Sequence, residues 1–163
     1  MFELKPLSRD GIPGALEKAI RYRLLNEPGD AESICLDILA IDPNNQEAIV
    51  TLLLAATDGS TQPYQIGAVD IKELIARLDD EYSRFYYSGI VDERAAKDHL
   101  DSRTEYGREY AYDHLRDAMH WFEKAQSIHP PGNDDAILRW NTCARIIQNN
   151  NLKVRVEVEL SLE

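Results

Sequence analysis

Cysteine is scarce in this chain. Cys35 and Cys143 are the two present, and neither belongs to a CxxC or Cys/His cluster. Each falls on an apolar position of a helical pattern, where cysteine behaves as a small hydrophobe. Two buried structural thiols are the main expectation, with a disulfide or a reactive role as the alternative. Long apolar runs are missing too: none approaches the roughly 20 residues that a bilayer-spanning helix needs. The opening Met1-Phe-Glu-Leu-Lys-Pro lacks the charged-then-apolar order of a signal peptide, so a cytoplasmic protein is expected. Phosphate-cradling Gly-rich loops, GxSxG and HExxH are all absent, which points away from an enzyme and from a bound cofactor. Basic residues are absent over a long stretch, with no Lys or Arg between Arg23 and Lys72. Proline is absent from Tyr64 to His129, which permits long helices there.

What remains is a foldable composition. The 163 residues are 44% apolar and 29% charged, which excludes a disordered chain and suits one domain. Lys and Arg number 18 against 29 Asp and Glu, for a net charge of −11, which argues against a nucleic-acid partner. The stretch without basic residues holds Glu27, Asp30, Glu32, Asp37, Asp42, Glu47, Asp58 and Asp70. Either these form a solvated face that maintains solubility or they dock a basic partner.

Two segments end and restart alike. Ala31 to Val50 reads AESICLDILAIDPNNQEAIV, and Ala118 to Leu138 reads AMHWFEKAQSIHPPGNDDAIL. Self-similarity of this kind signals stacked helical hairpins. Seven helices are predicted. The first covers Ile12 to Asn26, with Pro13 tolerated in its opening turn. The second is Ala31 to Ile41 with Asp30 as its cap, and the third is Gln46 to Thr57 after Asp-Pro-Asn-Asn. Residues 58–67 read as a loop. A long fourth helix runs from Val69 to Tyr87 on the spacing of Ile71, Leu74, Ile75, Leu78, Tyr82, Phe85 and Tyr86. Ser88-Gly89 makes a turn, then Ile90–Tyr110, Tyr112–Ile128 and Asp134–Gln148 complete the set. Beyond Asn149-Asn150-Asn151, Leu152, Val154, Val156, Val158 and Leu160 alternate with charged residues, a strand signal. Such an edge needs a partner. Pairing with Phe2–Lys5, in one chain or across two, stands beside a disordered tail and beside addition to another protein's sheet.

The spacing of small and aromatic residues resembles the tetratricopeptide repeat, a helix–turn–helix unit. Ala19, Tyr22, Ala31, Cys35, Ile38 and Pro43 match one unit. Ile49, Leu52 and Leu53 open a second, which departs from the pattern in lacking its Gly and aromatic. Tyr106-Gly107, Tyr110, Ala118, Phe122, Ala125 and Pro130 match a third, and Ala136, Ile137, Trp140, Asn141 and Ala144 suit a terminal capping helix. The resemblance implies an all-α superhelix of three hairpins plus a cap, to which the alternation beyond Asn151 adds a short C-terminal strand. Residues 1–10 are then an extended segment, 11–148 the helical domain and 149–163 a strand or tail. It also implies a non-catalytic module whose inner groove takes a peptide or helix of a partner protein. The corresponding positions here are Leu16, Ile20, Val50 and Leu54. Their apolar character departs from the carboxylate-clamping members, so the groove either takes an apolar helix or peptide or is filled by the long fourth helix.

Tyrosine is concentrated, with Tyr82, Tyr86, Tyr87, Tyr106, Tyr110 and Tyr112 close together. These form a core centre with Phe85, Trp121 and Phe122, or, at Tyr87 and Tyr112, part of an interface. His114, Asp117, His120 and Glu123 recur every three residues on one helix. Steps of three drift by about 60° each, so adjacent pairs could share a metal but all four could not. A solvated polar face is the plainer reading. The partner is therefore expected to be another protein or peptide, or a second copy of this chain in an assembly using the C-terminal strand. A metal-dependent enzyme centred near His114 and His120 is the third alternative.

Overall fold

Proline and asparagine punctuate the first part of the chain. In the computed structural model, which describes residues 1–58, 66–104 and 106–154, a short 3-10 turn (Arg9–Gly11) leads into α1 (Ile12–Leu24) with Pro13 in its first turn. Helix α1 closes on Asn26, whose φ of 61° is the left-handed conformation that asparagine tolerates. The Glu27 N–H reaches back to the Tyr22 carbonyl (2.9 Å) and that of Asn26 to Arg23 (3.1 Å), a Schellman closure. Pro28 then opens α2 (Pro28–Ile41). Asn45 caps α3 (Gln46–Ala56), its Oδ1 accepting the Ala48 N–H at 3.0 Å. Asp70 caps α4 (Ile71–Ala76) by accepting from Lys72 and Glu73. Three longer helices follow: α5 (Glu81–Ser102), α6 (Gly107–Ser127) and α7 (Asp135–Asn149). The described residues are all-helical apart from turns and coil, and no helix among them is long and apolar enough to cross a membrane.

The chain divides between Arg84 and Phe85 into two compact units. In the first, α2 packs on both α1 and α3, and α3 also meets α1 and α4. Ala19, Ala31, Cys35, Ile38, Ile49, Leu52 and Leu53 are buried there. The alanines let backbones approach, and burying each Ile or Leu contributes roughly 1.5–3 kcal/mol. Gln46 ties the start of α3 to the segment after α4. Its Nε2 donates to the Arg77 carbonyl (3.2 Å) and its Oε1 accepts from the Asp79 N–H (2.9 Å). Arg77 donates to the Pro43 carbonyl.

In the second unit α6 packs on α5 and α7. Phe85 pairs with Trp121, and His99 with Tyr110, so α5 and α6 are antiparallel. The fully buried Phe122 faces Gly89, where an added Cβ would lie 2.5 Å from its ring. At Gly107 an added Cβ would lie 2.5 Å from the His99 carbonyl. Glu93 is buried in this unit, its Oε1 accepting from Lys97 Nζ (2.5 Å) and Arg139 Nη1 (3.3 Å). Burial lowers the tendency of Arg139 to hold its proton, but bonding to Tyr86 and the pull of Glu93 outweigh it and raise its pKa. Helix α7 closes as α1 does: Asn151 has φ 50° and the Leu152 N–H bonds the Ile147 carbonyl at 3.0 Å.

Several expectations are corrected. Asp30 is not a cap but lies inside the first turn of α2, because Pro28 starts the helix earlier. The long fourth helix is broken at 77–80. There the Asp80 carboxylate accepts the Ser83 N–H (2.8 Å) and starts a new helix, while Arg84 Nη1 donates to the Leu78 carbonyl (2.6 Å). Ser88-Gly89 is not a turn but lies within α5, where the missing side chain admits Phe122. The actual break follows Ser102, at Arg103 with φ 50°. The third repeat is redrawn in consequence. Tyr110 and Phe122, assigned to opposite arms of one hairpin, both lie on α6. Leu138 of α7 is 61% exposed. Pro43 does lie between α2 and α3, and Pro130 between α6 and α7. Of the proposed strand, 152–154 are not strand; Leu152 is buried as the residue closing α7, and 155–163 lie outside the described residues.

Candidate functional site

Helices α1 and α3 run side by side in the same direction. Asn45 and Glu47, at the start of α3, border the first turns of α1, and Arg23 near the end of α1 pairs with Asp58 just past α3. This is the geometry that a helical hairpin produces when α2 returns antiparallel between two like-directed helices. At its opening end the furrow forms a cavity of about 480 Å³, lined by Ile12, Pro13, Leu16, Glu17, Ile20, Asn45 and Glu47. Leu16 is half-buried and Ile20 is 39% exposed, so apolar surface faces solvent here. Val50 and Leu54, both half-buried, follow Glu47 at helical spacing and continue the same face of α3. No residue of α4, only six residues long, lines this cavity.

The furrow's chemistry is apolar at its floor with carboxylates of Glu17 and Glu47 at its rim. Arg23, the basic group at its far end, is already matched by Asp58, with Nη2 and Oδ1 3.3 Å apart. Asparagine at the α3 cap is what the Pro-Asn-Asn turn anticipates. The role of Gln46 had no signal beyond its place after that cap.

Tyr87 and Tyr112 belong to the second unit. Tyr87 lies on α5 edge-on to Tyr86 at 5.2 Å, and Tyr112 is half-buried near the start of α6. Because the two helices are antiparallel, these tyrosines lie toward opposite ends of the pair and do not form one patch. The neighbouring aromatics are structural: Phe85 stacks on Trp121 at 6.0 Å, and Lys124 Nζ lies 4.7 Å above the Trp121 ring.

The row of residues at steps of three separates. His120 faces the Trp121 ring, and Glu123 accepts from Trp140 Nε1 at 3.0 Å. His114 instead meets Asp92 of α5, Nδ1 to Oδ1, at 3.0 Å, with Asp117 close by and the His99 ring stacked 5.4 Å away. In the sequence Asp92 stands beside Glu93 as a carboxylate pair with no nucleophile or base next to it, and His99 belongs to no pattern; the α5–α6 pairing brings both here. The thiols are both buried and free. Burial, then Glu32, pushes Cys35 up to about 12; burial, then Glu93, does the same to Cys143, which disfavours the thiolate at both.

No family model, no curated protein and no solved structure matches this chain.

Proposed function

We propose that the chain is a tetratricopeptide-like, non-catalytic protein-interaction module whose α1/α3 furrow binds an amphipathic segment of a partner protein. The observation that carries this is the open apolar floor of Ile12, Leu16 and Ile20 between two parallel helices. In a helical repeat, such a furrow between successive first helices is the surface left over once each hairpin has buried its own inner face. The occupant is a helix or extended peptide with apolar anchors and flanking Lys or Arg. Apolar anchors would fill the floor, and the basic groups would meet Glu17 and Glu47 along a chain segment with no basic residue from 24 to 71.

The test is a peptide-display selection on the full chain, counter-selected against Ile20→Glu. Ile20 is 39% exposed, so the variant should fold. Enrichment of basic amphipathic sequences that bind the wild type and lose at least about tenfold on the variant supports the reading. Failure to enrich, or equal binding by Ile20→Glu, contradicts it.

A further inference from the structure

We propose that Asp92, His114 and Asp117 form a binding site for a borderline divalent transition cation of the zinc(II) class, clipping α5 to α6. The site lies wholly in the second unit and stands independently of the furrow. One ligand atom from each of the three residues lies within 4.8 Å of the others. His114 Nδ1 and Asp92 Oδ1 are 3.0 Å apart. Two donors bound to one ion at about 2.0–2.1 Å are separated by roughly 2.9 Å at an octahedral edge and 3.3 Å at a tetrahedral one. The pair is therefore already spaced as two adjacent ligands, with the ion replacing the proton now between them.

Asp117 follows His114 by three residues on α6, the spacing that places two side chains on one helix face. It is exposed, so its carboxylate can turn toward the pair without disturbing the core. The His99 ring, nearly parallel to His114 at 17°, holds the imidazole plane from α5. The donor set decides the class of ion. One imidazole with two carboxylates suits zinc, cobalt or nickel, whereas calcium and magnesium favour all-oxygen shells and copper(I) favours sulfur. Because the donors come from two helices, a bound ion links them and adds to the stability of the folded state.

The experiment uses the full chain, stripped with EDTA and titrated with Zn²⁺, Co²⁺ or Mg²⁺ while thermal unfolding and visible absorption are followed. The expected results are a Tm raised by a few degrees with Zn²⁺, a cobalt d–d band at one equivalent, and no response to Mg²⁺. Asp117→Asn and His114→Gln should each weaken binding about tenfold or more, while His120→Ala should leave it unchanged. Asp117 is exposed, so its variant tests the site even if His114→Gln fails to fold. Absence of both the Tm rise and the cobalt band at millimolar ion overturns the proposal. So does wild-type affinity in Asp117→Asn, or loss of binding in His120→Ala.

Discussion

The two units bury different chemistry. The first packs alanines and aliphatic side chains, with Ile38, Ile49, Leu52 and Leu53 fully or nearly fully enclosed. The second encloses Phe122 but also a carboxylate, Glu93, and sets a histidine–aspartate pair at its helix interface. An aliphatic core needs no directional partners, so its helices can pack on small residues and leave spare apolar surface in a furrow. A core with a buried charge must supply donors at defined places, here Lys97 and Arg139. The first unit leaves apolar side chains lining a surface cavity, and the second holds polar groups at defined places between its helices.

The largest expected effect is at the aromatic centre. Phe122→Ala should cost about 3–5 kcal/mol by leaving a cavity beside Gly89, read as a fall in urea midpoint. Gly89→Ala tests the same contact from the other side. Its Cβ would meet the Phe122 ring, and the strain of about 1–3 kcal/mol should outweigh the roughly 1 kcal/mol gain in helix propensity. A stabilised Gly89→Ala would show that the helices can part without loss. In the first unit, Gln46→Ala removes two bonds to the segment after α4 and should cost about 1–2 kcal/mol by chemical denaturation.

The smallest effect is at Asp80. Burial alone would raise its carboxyl, but hydrogen bonds from Ser83 outweigh this and hold it below the usual value. A lowered folded-state pKa contributes stability above about pH 4, lost as pH falls through the folded value. Asp80→Ala should therefore cost about 1 kcal/mol at pH 7 and less at pH 2–3, measured as the difference in urea midpoint.

Legibility in the sequence follows the same division. Pro43 and Asn45 mark helix ends by backbone chemistry that acts locally, so α1 to α3 were readable from residues alone except at the start of α2, where Pro28 opens the helix instead of breaking it. In the second unit the deciding contacts are tertiary. Gly89 looks like a turn residue until Phe122 is known to fill its place, and the real break at Arg103 carries neither proline nor glycine. Leu16 and Ile20, which the resemblance places on an inner face, line the cavity beside α1 and α3. Asp92, seven residues before His99 and far from His114 in sequence, was not legible as their neighbour, because only the antiparallel pairing of α5 with α6 joins them.

The most direct test is a methyl-resolved NMR titration of the full chain with a basic amphipathic peptide obtained by display. The account predicts salt-sensitive shift changes concentrated at Ile12, Leu16, Ile20 and Val50. Changes centred on other methyls, or unaltered by salt, would contradict it.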